Sequence, residues 1–314
     1  MPLDPETSAL LEAMGGIGLV PFEHHTPDGA RKQYAVPTDE PGMTVADVSE
    51  RTIPAGDAEI RIKILVPDEP AAAIVYFHGG GWVIGDIDSF TGLGHRIALA
   101  TGCAVVLVDY RLAPEHRFPA AVDDAYLATE WVAANMSELF GRPLPIIVGG
   151  DSAGGTLAAV TARRARDRNG PRIAMQVLIY PATGAEFDGP SYVNPDNQLL
   201  LTRQGILWFW NHYVPDPALR GHPDASPLNA EDLAGLPPAV LLTAEYDVLR
   251  DEGEKYAARL VAAGVSVDFR RHQGQMHGFM PRYMLPGSAR GLQQIASAVK
   301  ARLRTVTERV ERSG

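Results

Sequence analysis

Apolar positions along this chain fall into short runs separated by longer amphipathic stretches. In Glu59–Val66, Ile60, Ile62 and Ile64 alternate with charged residues, the period of a half-buried strand. Ala72–Phe77 and Ala104–Asp109 are continuously apolar, as central parallel strands covered on both faces are. Ile146–Gly149, Met175–Tyr180 and Ala239–Ala244 share that character, and Val265–Arg271 alternates again with Val267 and Phe269 on one side. Helical patterns lie between the runs, over His95–Ala100, Ala120–Asn135, Thr156–Arg168, Glu252–Ala263 and Ala289–Arg304. Strands alternating with helices predict an α/β fold with a doubly wound, mostly parallel sheet. Ser8–Met14 is a candidate short helix, His24–Pro41 is polar and rich in turn residues, and sheet-like sequence begins near Ile53. Residues 184–236 break the rhythm: they contain glycine, proline, an aromatic cluster (Trp208, Phe209, Trp210, Tyr213) and no strand pattern. This segment is expected to be an insertion beyond the strand ends, helical over Arg203–Tyr213, where it would cover a ligand or pack its own small core.

Two glycine-rich motifs add chemistry to this frame. Gly150-Asp151-Ser152-Ala153-Gly154 stands between a strand run and a helical run, so Ser152 falls on a sharp strand-to-helix turn that exposes its oxygen. Directly after Ala72–Phe77 comes His78-Gly79-Gly80-Gly81-Trp82. Consecutive glycines let backbone N–H groups approach a ligand, and acyl transfer needs such donors for its oxyanion. In hydrolase folds the residue after the nucleophile, here Ala153, supplies a further N–H. A serine hydroxyl needs a base. Of nine histidines, His277 is the best placed, in a loop between a strand and the last helix, while His78 is expected to brace the glycine loop. His272 is read as the end of the strand, and His24, His25, His95, His116, His212 and His222 have no motif context. Asp247 comes first after the run Ala239–Ala244 and is the expected acid partner of His277. Asp251 and Glu252 fall at a helix start, where capping and the helix dipole account for acids, and Asp151 is given a structural role. The chain order Ser152, Asp247, His277 is the order of α/β-hydrolases.

With these residues in place, the chain resembles the bacterial hormone-sensitive-lipase-like (family IV) carboxylesterases of the α/β-hydrolase superfamily. The resemblance rests on His78–Gly81, Gly150–Gly155, Asp247–Gly253 and His277-Gly278-Phe279. Asp109-Tyr110-Arg111-Leu112-Ala113-Pro114-Glu115 followed by Phe118-Pro119-Ala120-Ala121 extends it over about residues 50–300. Val248 departs from it, standing where the family usually has proline. The resemblance implies an α/β-hydrolase fold and a serine esterase acting on short- to medium-chain acyl esters. It implies oxyanion N–H groups from Gly80, Gly81 and Ala153, with His78, Gly79 and Asp151 in support. It also implies a cap formed by residues 1–50 and 184–236 over a catalytic domain of 51–183 and 237–314. Trp82, Trp208, Phe209 and Phe279 are the aromatic residues expected to line the substrate pocket. An amidase, lactonase or acyltransferase would use the same triad, and a non-catalytic ligand-binding protein is the alternative from another class.

The partner that the resemblance implies is a small-molecule ester, and composition bears on partners only by exclusion. A formal net charge of −10 disfavours nucleic acid. No run approaches the ~20 apolar residues of a membrane span, and Met1–Glu6 does not read as a signal peptide. Cys103 is the single cysteine, so no intrachain disulfide forms and the expected location is cytoplasmic. The chain carries no metal-ligand cluster and no dinucleotide glycine loop, so no cofactor is expected. Edge-strand pairing is common in the resembled family, which leaves a homodimer as an open expectation.

Overall fold

A computed structural model describes residues 2–16, 18–34, 42–56 and 58–313, with side chains up to 305. Part of the polar stretch His24–Pro41, over 35–41, lies outside the described residues. The strands are β1 (Asp47–Ala55), β2 (Ala58–Val66), β3 (Ala73–Phe77), β4 (Ala104–Asp109), β5 (Ile146–Asp151), β6 (Ile173–Ile179), β7 (Ala239–Tyr246) and β8 (Val267–Met276). They form one sheet in the order β1-β2-β4-β3-β5-β6-β7-β8. β1 and β2 run antiparallel to each other and β2 runs antiparallel to β4, while all pairings from β4 to β8 are parallel.

The helices are α1 (Pro5–Gly16), α2 (Pro27–Tyr34), α3 (Thr91–Thr101), α4 (Ala120–Ala134), α5 (Met136–Phe140), α6 (Ala153–Asp167), α7 (Pro190–Val193), α8 (Arg203–Tyr213), α9 (Arg250–Ala262) and α10 (Pro286–Ser313). Two apolar cores flank the sheet, and β3 shows why its run is unbroken. Val75 and Phe77 pack with α4 and α6, while Ile74 and Tyr76 pack with α3 and α10 on the other face. Tyr256 and Leu260 of α9 join the first core. Every position of such a strand is buried, so alternation gives way to a continuous apolar run.

Three differences from the pattern-based reading have physical causes. The polar stretch contains α2, which buries little beyond Ala30 and therefore shows no apolar stripe. β8 runs five residues past Arg271 and carries His272 in its middle instead of at its end. It is an edge strand, so Phe269 is exposed instead of facing the core. The insertion 184–236 has no strand, as expected, and α8 spans the helix expected at Arg203–Tyr213; Thr202 caps it by accepting from the Gly205 N–H at 2.9 Å. Among the described residues no helix is long and apolar enough to cross a membrane.

Candidate active site

Three parallel strands, β5, β7 and β8, deliver the reactive groups to one end of the sheet. β5 ends at Asp151, and Ser152 follows with φ 54° and ψ −119°, a conformation that a side chain tolerates only under constraint. The constraint is visible. Ser152 N–H donates to Ile179 O at 2.8 Å, and α6 starts at the next residue. A Cβ at Gly150 would overlap the Gly154 carbonyl, and one at Gly154 would overlap the Phe77 carbonyl, so the elbow packs only with glycine at both positions. β7 runs out into the turn holding Asp247, whose side chain is fully buried. Its Oδ1 accepts from Leu249 N–H at 2.9 Å, which leaves Oδ2 for the histidine. β8 ends at Met276, and His277 is the next residue.

The three side chains form a continuous relay. His277 Nδ1 donates to Asp247 Oδ2 at 2.7 Å, and His277 Nε2 lies 3.0 Å from Ser152 Oγ. The Asp247 bond fixes the tautomer that leaves Nε2 free to accept the serine proton. The Tyr180 ring flanks the imidazole, with 4.8 Å between centroids.

The glycine loop stands over the serine and is held from behind. Gly79 N–H donates to Asp151 Oδ1 at 2.9 Å, and the Tyr76 hydroxyl donates to the same oxygen at 2.9 Å. Asp151 thus ties the glycine loop to β3; burial pushes its pKa up to about 6, against those two hydrogen bonds. His78 Nδ1 lies 2.7 Å from Gly79 O, and Tyr110 stacks on the ring and donates its hydroxyl to His78 O at 2.8 Å. Burial lowers the His78 pKa to about 4, so at neutral pH it is an uncharged brace. Gly80 and Gly81 adopt φ of 117° and 58°. A Cβ on Gly81 would overlap the Phe209 ring, so α8 presses directly on this loop.

These groups open into a cavity of about 400 Å³ whose lining includes Ser152, His277 and Gly79–Gly81. Its walls are largely apolar: Leu10 and Met14 from α1, Phe22, Phe90, Leu200, Leu201, Ile206 and Phe209. Of the four aromatic residues expected here, Phe209 lines it. Trp82 does not; it is fully buried, stacked on Tyr213 at 4.3 Å and edge-on to Trp210, because its positive φ turns it away into the core. Phe279 is fully buried against Tyr180 and His272, and Trp208 packs outside the cavity on Phe209 and His212.

Several contributing residues escape the sequence reading. Glu252 and Asp251 do more than start a helix. Glu252 accepts from Thr183 and Gly184 N–H and from the Tyr192 hydroxyl, and Asp251 accepts from Ser191 N–H at 2.9 Å. Both therefore tie the insertion to α9, since the chain leaving β6 presents N–H groups with no strand partner. Arg31 of α2 donates to Val83 O and Ala113 O and pairs with Glu115, fastening the N-terminal segment behind the glycine loop. Glu115 lies within the motif that follows β4, which is the one sequence signal for that contact. Among the described residues no group of His, Cys, Asp and Glu is arranged to hold a metal ion.

Comparison with known proteins gives one consistent answer. A family model described as an alpha/beta hydrolase fold matches residues 74–281. The chain is 41% identical to the carboxylic ester hydrolase LipN of Mycobacterium tuberculosis over 276 residues, covering 85% of this chain and 73% of that one. It is 40% identical to the carboxylesterase NlhH of the same organism over 267 residues, covering 81% and 83%. The solved structure of a hyperthermophilic esterase from the archaeon Pyrobaculum calidifontis is similar with a TM-score of 0.88 at 38% identity, covering 96% of this chain and 99% of that one.

Proposed function

This chain belongs to the α/β-hydrolase-fold family, among its hormone-sensitive-lipase-like carboxylic ester hydrolases, and from that premise we propose that it cleaves short- to medium-chain acyl esters through an acyl-enzyme on Ser152. The observation that carries the assignment of residues is the unbroken relay from Asp247 through His277 to Ser152. Ser152 Oγ attacks the ester carbonyl as His277 Nε2 takes its proton, and Asp247 stabilises the imidazolium. The N–H groups of Gly80, Gly81 and Ala153 hold the oxyanion, a contribution worth about 10²–10³ in rate for each donor. The C–O bond breaks, the alcohol leaves with the proton from His277, and the acyl group stays on Ser152. Water then gives a proton to the same histidine, attacks the acyl-enzyme and releases the acid.

The part of residues 1–50 that precedes β1 and the insertion 184–236 serve as the cap over the sheet-bearing catalytic domain, whose first strand begins at Asp47 instead of after residue 50. Support for this division comes from Phe22 and Tyr34 on one side and Leu200, Ile206 and Phe209 on the other, which line the same cavity. A cytoplasmic site of action fits a single cysteine that is buried and free. The open edge of β8, with Phe269 exposed, is suited to pairing with a second copy.

Purified Ser152→Ala protein with an unchanged circular dichroism spectrum is expected to show no turnover of 4-nitrophenyl butyrate and no labelling by a fluorophosphonate. Turnover at the parent rate would overturn the nucleophile assignment.

A further inference from the structure

The cavity wall contains one guanidinium among the described residues, that of Arg282. Its position is fixed by the turn that follows His277. Arg96 donates through Nη2 to Met280 O and Pro281 O, each at 3.0 Å, and Ser288 Oγ donates to Met280 O at 2.7 Å. Arg282 N–H closes the turn on Phe279 O at 3.2 Å. The side chain reaches back and donates through Nη1 to Gly278 O, beside His277.

Nothing else among the described residues completes this cation. A guanidinium has five N–H donors, and the Gly278 carbonyl takes one of them. Several arginines elsewhere hold either a carboxylate, as Arg31 does Glu115, Arg111 Asp124, and Arg164 both Asp123 and Asp224, or at least two other acceptors, as Arg96, Arg220 and Arg259 do. Arg282 has no carboxylate within ion-pair distance among the described residues. Asp151, the carboxylate that shares the cavity wall, already accepts from Tyr76 and Gly79. Burial weighs against the charge of Arg282, yet a guanidinium stays protonated in proteins. A cation with one of five N–H donors bound, set in a largely apolar wall and favoured there by the more distant Asp151 charge, gains from a directly bonded anion. It is also preorganised to receive one, because the turn beneath it is already locked.

Resting on the ester-hydrolase reading above, we propose that Arg282 selects esters bearing a carboxylate, and that the substrates are half-esters of dicarboxylic acids or O-acyl hydroxy acids. Such a carboxylate accepts two parallel N–H bonds from the guanidinium while the ester carbonyl lies at Ser152.

Two pairs of esters, differing only in a carboxylate for a methyl group, test this on the full chain by pH-stat. Monomethyl adipate against methyl hexanoate places the charge on the acyl half, and 4-acetoxybutanoate against butyl acetate places it on the alcohol half. For one pair, the ratio of kcat/KM for the charged over the neutral ester is expected to be one or above. That ratio should fall about 10–100-fold in Arg282→Gln, the range of a charge-assisted bidentate contact, and recover in part in Arg282→Lys. The neutral ester should change by less than about threefold. An equal loss on charged and neutral esters would make Arg282 a brace for the Gly278 turn and overturn the proposal. So would a parent-enzyme ratio far below one for both pairs, which decides the matter even should the Gln variant not fold. Absence of turnover on all four esters by the parent enzyme would overturn the ester-hydrolase reading itself, and this inference with it.

Discussion

Ser152 holds its positive φ because every route to relaxation is closed: a β6 carbonyl holds its N–H, and glycines on either side admit no side chain. The geometry also separates the acids. Asp247 alone among Asp247, Asp251 and Glu252 bonds His277, so Asp247→Asn should lower kcat about 10⁴-fold, by analogy with the handling of tautomers in serine proteases. Asp251→Asn should lower it less than tenfold; steady-state kinetics of the two variants on one aryl ester would compare them, and the reverse order would assign the acid to Asp251. Gly81→Ala should lower kcat by at least 10², because its Cβ meets the Phe209 ring at a φ of 58° and displaces an oxyanion donor. That Ser152, Asp247, His277 and the glycine loop converge was legible because each follows directly on an apolar strand, and strand ends are where chain order alone brings residues together. Trp82 and Phe279 were misplaced for the opposite reason: which way a side chain leaves a loop depends on local φ and on packing partners distant in sequence. Arg282 was invisible because its interest lies in what does not pair with it, a property no single residue carries in a sequence.

Between elements, Glu252 is the joint that fastens the start of the insertion to α9. Burial raises its pKa from 4.5 to about 8, chiefly by desolvation, against its hydrogen bonds. The folded protein therefore binds a proton there that the unfolded chain has lost, throughout the window from pH 4.5 to about 8. Stability from this group accordingly falls as pH rises through that window. Glu252→Gln keeps an oxygen for Thr183 and Gly184 N–H and removes the titration. The variant should match the parent in urea denaturation at pH 5 and exceed it at pH 8.5 by roughly 1–3 kcal/mol. Equal pH slopes for the two proteins would show that Glu252 does not carry the effect. Phe209 is the other joint, packed at 4.8 Å on Phe22 of the N-terminal segment and against Gly81. Phe209→Ala should destabilise by about 3–5 kcal/mol and shift the best acyl chain to a longer one, read from midpoint and chain-length profile together. The strands that make the frame were legible because two-sided burial writes continuous apolar runs. α2 and the far half of β8 were not, because one buries little and the other fills buried positions with polar residues and glycine, His272, Gly274 and Gln275.

For the molecule as a whole, a cavity of about 400 Å³ with apolar walls sets the expected response to substrate size. Each added methylene should raise kcat/KM about fourfold until the space is filled, after which the value falls; a flat profile from acetate to decanoate would contradict an acyl site along these apolar walls. The fold class was legible from the alternation of runs, whereas the cavity is not, since its lining comes from α1, the N-terminal segment, the insertion and the turn after β8 at once. That dispersal has a consequence for how the protein comes into being. Ser152 and His277 are 125 positions apart, and their strands are separated in the sheet by β6 and β7. Bringing such distant segments together is slow relative to forming local helices, because loop entropy is lost before contacts repay it. A nascent chain still missing β8 lacks His277 and should hydrolyse nothing, whatever part of its sheet has formed. During synthesis or refolding, regained activity should lag behind regained helicity and mark the moment when the last strand docks.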